Sequence, residues 1–156
     1  MENYMNITLE AIKSEQSKIA EMIAAFEKQA EAKTSFVFPE TTIELAPGEE
    51  YAGLIVGRDG EASYHLVLLS GDADDINWQD AISWAKGQGG ELPTRREQAL
   101  LFANLKEKFQ DRYYWSAQES ESNKDTAWCQ YFGGGRQSLG YESDERRAVA
   151  VRRLPI

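Results

Sequence analysis

The side chains that most often carry catalysis are scarce in this sequence: there is one histidine, His65, and one cysteine, Cys129. Nucleophilic hydrolysis needs a nucleophile, a base and a group that orients the base. His65 stands inside the apolar run 63–69 with no nucleophile motif beside it, the setting of a structural strand histidine. Cys129 lies in Ala127-Trp128-Cys129-Gln130-Tyr131-Phe132, where a thiol packs as a small hydrophobe, and alone it forms no internal disulfide. One His and one Cys leave no cluster of soft ligands for zinc, so neither a metal nor a cofactor is expected.

Oxygen ligands are denser. Asp72-Ala73-Asp74-Asp75 and the segment 119–125, with Glu119, Glu121 and Asp125, have the composition of calcium loops, but neither follows EF-hand spacing and both read more simply as solvated loops. A carboxylate pair for glycoside cleavage is defined by spatial separation, which a sequence does not display. The glycine runs 87–90 and 133–135 follow a helix and join two strands respectively, so they read as a cap and a turn instead of phosphate cradles. Arg146, Arg147, Arg152 and Arg153 suit either an anion site or pairing with carboxylates on a sheet face. The late loops 118–125 and 134–144 are rich in Ser, Asn, Gln and Gly, a composition of adaptable binding loops, and Trp115, Tyr131, Arg136 and Tyr141, in and beside them, are the expected ligand contacts.

These groups must be held by elements whose signals are local. Residues 36–38 and 41–45 are β-rich and predict a first strand, followed by a turn at 46–50. Residues 51–57 and 63–69 flank Asp59-Gly60, a dipeptide that supplies positive φ to a tight hairpin. From Asn77, the spacing of Trp78, Ala81, Ile82 and Ala85 predicts a helix ended by the glycines at 87–90. After the extended Leu92-Pro93, Thr94 and Glu97 form a capping box opening a second helix through Ala99, Leu100, Phe102, Ala103 and Leu105. Short aromatic strands follow at 113–116, 128–132 and 148–152, with 133–135 turning the middle one into 136–140. Strands before and after two adjacent helices predict an α+β domain.

Ahead of this domain, Met5, Leu9, Ile12, Gln16, Ile19, Ile23, Phe26 and Ala30 recur at alternating steps of four and three, the heptad stripe of a coiled coil. Asn6-Ile7-Thr8 offers a cap, and no Gly or Pro interrupts the stripe. The expected organisation is a coiled-coil helix over 1–35 and the α+β domain over 36–156. Self-association through Leu9, Ile12, Gln16, Ile19, Ile23 and Phe26 is predicted, with Leu at a and Ile at d favouring a trimer; the alternative is a lone amphipathic helix folded back on the domain. Over the 156 residues, the 26 acidic and 17 basic side chains give a net charge of −9, which disfavours direct nucleic-acid binding. No segment has the roughly 18 consecutive apolar residues of a membrane span, and the start lacks the basic and apolar regions of a secretory signal. The expectation is a cytoplasmic protein of a host cell, or one carried in a virion.

The ordered series Leu92-Pro93-Thr94-Arg95-Arg96-Glu97, Tyr114-Trp115-Ser116, Ala127-Trp128, Phe132-Gly133 and Arg147-Ala148-Val149-Ala150-Val151-Arg152-Arg153-Leu154 resembles an uncharacterised domain family common in proteobacterial prophages. It is similar to the C-terminal domain of a Legionella collagen-like adhesin and, more distantly, to formylglycine-generating enzymes and the variable ligand-binding proteins of diversity-generating retroelements. The resemblance covers about Glu50 to Leu154 and implies a C-type-lectin-like fold: two helices against small antiparallel sheets, with the chain ends together and a ligand face built from late loops. The Glu-Pro-Asn and Trp-Asn-Asp signatures of calcium-dependent lectins are absent, as is the cysteine pair of the formylglycine-generating enzymes. The function so implied is that of a non-catalytic, oligomeric phage or prophage binding protein, not an enzyme, recognising a protein or small-molecule ligand. A second reading is an intracellular counter-defence or regulatory protein that blocks a basic host site or sequesters a small signalling molecule. A carboxylate-pair hydrolase ranks third, since no motif supports it.

Overall fold

In the computed structural model the described residues are 8–30 and 39–156, and the chain divides into two units, 1–38 and 39–156. The first contains helix α1 (Leu9–Ala30), opened by Thr8, whose Oγ1 accepts a hydrogen bond from the Ala11 N–H at 3.2 Å. Every side chain described in α1 is exposed, including Leu9 and Phe26 at 67% and 71%. Met5, the side chain of Ala30 and the strand expected at 36–38 lie outside the described residues.

The second unit runs, in chain order, through β1 (Glu50–Ile55), β2 (Tyr64–Leu68), β3 (Ala73–Ile76), α2 (Trp78–Gly87), α3 (Arg95–Leu105), a short 3-10 turn, β4 (Tyr113–Glu119), β5 (Thr126–Tyr131), β6 (Gln137–Tyr141), β7 (Arg146–Ala148) and β8 (Val151–Pro155). It is an α+β arrangement with a three-stranded antiparallel sheet ordered β1-β2-β8 and a five-stranded sheet ordered β3-β7-β4-β5-β6, in which only β4 and β7 run parallel. No helix of the described residues is long and apolar enough to cross a membrane.

Local signals built several elements as expected. The Asn77 side chain accepts from the Asp80 N–H at 3.0 Å and starts α2, which buries Trp78, Ala81 and Ala85. Thr94 and Glu97 close the capping box of α3. Asp59 and Gly60 both take positive φ, 53° and 88°, in a turn closed by Glu61 N–H donating to the Arg58 carbonyl. The strands separate before reaching that turn, because pairing stops at Ile55 opposite Tyr64, so the connection spans 56–63 and the hairpin is not tight.

Three expectations fail, each for a non-local reason. Residues 41–45 form no strand, since no neighbouring strand pairs with them; Arg152 instead donates to the Glu44 carbonyl at 2.9 Å. The single strand expected at 148–152 is two strands in different sheets, with β7 beside β3 and β4, β8 beside β2, and buried Val149 and Ala150 making the crossing. Asp72, Asp74 and Asp75 are solvent-exposed as read, but the stretch is not a loop throughout: β3 starts at Ala73, an edge strand opposite β7, and the carboxylates have arginine partners.

Side chains alternate across the five-stranded sheet. One face meets α3, which lies toward the three-stranded sheet in a core containing Leu66, Leu101, Tyr114, Phe132 and Val151. The other meets α2, with Trp78, Ala85, Trp115, Ala127 and Cys129 in a second cluster. Glu97 of α3, 0% exposed, ties that helix to the smaller sheet: its carboxylate accepts from Arg153 Nε (2.5 Å) and Nη2 (2.8 Å), the Tyr64 hydroxyl (2.6 Å) and the Thr94 N–H (2.7 Å). Burial alone would raise its pKa; the bonds from Arg153, Tyr64 and Thr94 outweigh that and hold it below the usual carboxylate range. Burial and then Glu97 push the Tyr64 hydroxyl up to about 12, so it is the donor at neutral pH.

Candidate functional site

The β5–β6 hairpin separates two recesses, one on each face of the five-stranded sheet. Its turn is closed by Gly135 N–H to the Tyr131 carbonyl (2.7 Å) and Tyr131 N–H to the Arg136 carbonyl (2.8 Å). A side chain at Gly133 would strike the Tyr131 ring, so the glycine lets that ring lie close to its own turn.

On the α2 face, Tyr131 sits opposite Tyr113 of β4, with ring centroids 5.2 Å apart. Arg136 donates to the Tyr113 hydroxyl, and this bond holds the phenol below its usual pKa against the opposing effect of burial. Arg146 of β7 lies beside them, its guanidinium 4.9 Å from the Tyr113 ring centre and 5.1 Å from that of Trp115, with Nη2 bonded to Asp144 at 3.0 Å. Gly140 makes room for it, because a Cβ there would collide with the guanidinium. Arg146 Nε is buried without a partner among the described residues. Tyr113, Tyr131 and Arg146 line a recess of about 260 Å³ together with Asp111, Arg112 and Glu145. Rings beside guanidiniums can stack and hydrogen-bond a ligand without reacting with it.

Of the four contacts expected from sequence, Tyr131 and Arg136 come together here. Trp115 does not join them as a contact: it is 0% exposed, its indole N–H donates to the Ile76 carbonyl at 2.9 Å, and it packs in the core cluster with Trp78 and Cys129. Tyr141 is 65% exposed but pairs with Thr126 at the other end of the hairpin, roughly 17 Å along the strand and on the opposite face by alternation. Tyr113 and Arg146 are the residues a sequence reading undervalues. Tyr113 is legible only as the strand neighbour of buried Tyr114, and Arg146 as one of four similar arginines. Those four part company in space: Arg147 goes to Asp72 and Asp74, Arg152 to Glu49, and Arg153 to Glu91 and Glu97.

On the α3 face, the Arg95 guanidinium sits over Trp128, 3.5 Å from the ring centre. A chain of amides braces it. Arg95 Nε donates to Gln137 Oε1 (3.0 Å); Gln137 Nε2 donates to the Arg95 carbonyl (2.7 Å) and to Gln130 Oε1 (2.8 Å); Gln130 Nε2 donates to the Gln98 carbonyl (3.2 Å). Gln118 Oε1 accepts from the Arg95 N–H at 2.8 Å. The recess beside this network, about 550 Å³, is lined by Arg95, Arg96, Ala99, Gln118, Gln130, Gly135 and Gln137.

The other chemistry-bearing residues are engaged structurally. His65 Nδ1 is 3.0 Å from the Tyr51 hydroxyl. Burial pushes the Cys129 thiol up, keeping it protonated, and its Sγ donates to the Ser138 carbonyl at 3.3 Å. Among the described residues no group of three or more His, Cys, Asp or Glu side chains is arranged to hold a metal. Glu119, Glu121, Asp125 and Glu142 border a separate recess of about 460 Å³. Compared with known proteins, the chain matches no family model and no curated protein.

Proposed function

We propose that this protein is a non-catalytic phage or prophage binding protein, with a C-type-lectin-like domain presented in several copies by a coiled coil. The observation that carries the reading is the recess on the α2 face, where Tyr113, Tyr131 and Arg146 converge beside the turn of the β5–β6 hairpin and Arg136 bonds the Tyr113 hydroxyl. Stacking rings with charged donors suit recognition, and the neighbouring thiol is buried and protonated, poorly suited to attack. The lectin-like assignment is supported by α2 and α3 on opposite faces of the larger sheet and by the pairing of the final strand β8 with β2 near the start of the domain. The coiled coil is supported by the heptad stripe on α1, whose Leu9, Ile12, Ile19, Ile23 and Phe26 are all exposed. A trimer would let weak sites act together, since linked sites raise the effective concentration of the second contact.

The test uses the full chain. Soluble glycans from the host surface are titrated while backbone and arginine N–H resonances are followed. Shifts centred on Tyr113, Tyr131 and Arg136, lost in a Y131A/R136A double variant, support the reading. Binding that the double variant retains in full would refute it. A second reading, an intracellular protein that occupies a basic host site, is favoured by the acidic recess around Glu119, Glu121, Asp125 and Glu142; it predicts binding to a polycationic peptide that charge reversal at Glu119 and Glu121 abolishes.

A further inference from the structure

We propose that the recess on the α3 face, beside Arg95 and Arg96, is a second binding site, for the phosphate group of a small phosphorylated molecule. The proposal is independent of the tyrosine-lined recess on the other face of the sheet.

Charge supplies the first argument. The chain has 26 acidic and 17 basic residues, and Arg112, Arg146, Arg147, Arg152 and Arg153 each lie within ion-pair distance of a carboxylate. Arg58, Arg95, Arg96 and Arg136 have no such partner among the described residues; Arg136 is bonded instead to the Tyr113 hydroxyl, and of the four only Arg95 and Arg96 line a recess together. Four other recesses each include a carboxylate in the lining, at Glu119, Asp111, Glu50 and Glu40 respectively, whereas this one has two guanidiniums and none. Leaving two cations uncompensated in an acidic protein creates a local field that attracts an anion.

The second argument concerns hydrogen-bond polarity. The amide oxygens of Gln118, Gln130 and Gln137 already accept from Arg95 N–H, Gln137 and Arg95 Nε. The terminal nitrogens of Arg95, the Arg96 guanidinium and the Gln118 carboxamide nitrogen have no acceptor among the described residues. The unpaired polar hydrogens of the lining are therefore donors, while each amide oxygen already accepts one bond, so its natural complement is an acceptor-rich group. Two separate guanidinium forks suit a tetrahedral dianion, which can take a pair of N–H groups from each of two directions; a planar carboxylate is filled by one fork.

Preorganisation is the third. Trp128 beneath Arg95 and Gln137 beside it fix the guanidinium plane before any ligand arrives, so little side-chain entropy remains to be lost on binding. At about 550 Å³ the recess exceeds the needs of a phosphate alone, and Ala99 and Gly135 leave open wall for the remainder of an ester.

The experiment follows arginine Nε–H and glutamine side-chain resonances of the full chain against five probes: inorganic phosphate, adenosine monophosphate, glucose 6-phosphate, and the unphosphorylated adenosine and glucose. Millimolar phosphorylated probes should shift the Arg95, Gln118 and Gln137 signals, and the unphosphorylated pair should not. R96Q, an exposed change that spares the fold, should weaken binding about tenfold, the scale of one charge-assisted hydrogen bond, and R95Q should weaken it further. The ester that binds more tightly identifies the source as nucleotide or sugar phosphate; equal binding of inorganic phosphate assigns the recognition to the phosphate itself. Silence of these resonances, equal binding of phosphorylated and unphosphorylated probes, or undiminished affinity in R96Q overturns the site. Shifts confined to Tyr113, Tyr131 and Arg136 would overturn it while leaving the other recess standing.

Discussion

Helices α1 and α3 invert the usual expectation about what a helix hides. The 22-residue α1 leaves Leu9, Ile12, Ile19, Ile23 and Phe26 exposed, whereas the 11-residue α3 buries a carboxylate and a carboxamide, Glu97 and Gln98, at 0% exposure beside Leu101 and Leu105. A buried charge survives only where partners satisfy it, and Arg153, Tyr64 and Thr94 do so for Glu97. The lesson is that burial follows from the partners a fold delivers, and among the described residues of its own unit α1 displays an apolar stripe with no such delivery.

The most damaging way to probe this contrast is Glu97→Ala. It strands Arg153 and the Tyr64 hydroxyl, and urea denaturation should report a loss of about 3–5 kcal/mol, the usual cost of breaking a buried ion pair from one side. Removing less would mean that water or Glu91 takes over Arg153. Acid gives a milder version of the same test. Because the Glu97 carboxyl is held below its ordinary value of 4.5, its contribution is complete above that pH and disappears as pH falls through the lowered folded-state value. The stability gap between wild type and E97A should therefore narrow on acidification below about pH 4.5; a constant gap would show the charge to be irrelevant.

Gly140→Ala comes next. The added Cβ must displace the Arg146 guanidinium, so a destabilisation of about 1–3 kcal/mol is expected from overpacking, with weakened binding in the tyrosine-lined recess and unchanged behaviour at Arg95. The smallest effect on domain stability should come from α1. A double change Ile12→Ser and Ile19→Ser should leave the melting of the C-terminal domain within about 0.5 kcal/mol, while light scattering should register a fall from an oligomer to one chain. A monomeric wild type at micromolar concentration would remove the reason for an exposed stripe.

How far the site was legible follows from which residues met. Tyr131 and Arg136 flank one short turn, so their convergence is a local matter and the sequence pointed to both. Trp115 looked like an anchor because aromatic residues often are; its burial depends on α2 and on the Ile76 carbonyl, neither of which its own strand specifies. The recess on the α3 face was invisible for the opposite reason: its glutamines come from three separate strands, and nothing in the sequence around any one of them points to the other two. In the acidic stretch Asp72 to Asp75, composition suggested cation binding, but Arg147, 75 residues from Asp72, claims the charge.

Spacing within a turn or two of chain determined the capping box of α3, the Asn77 start of α2, the positive φ at Asp59 and Gly60, and the heptad stripe, since each depends on atoms that are neighbours in any compact state. Only tertiary structure decided that residues 146–155 serve two sheets, that Glu97 is buried, and that guanidiniums collect beside Tyr113 on one face and Trp128 on the other. Those outcomes rest on pairings between distant segments, and a strand pattern states which side chains share a face without stating what will lie against it.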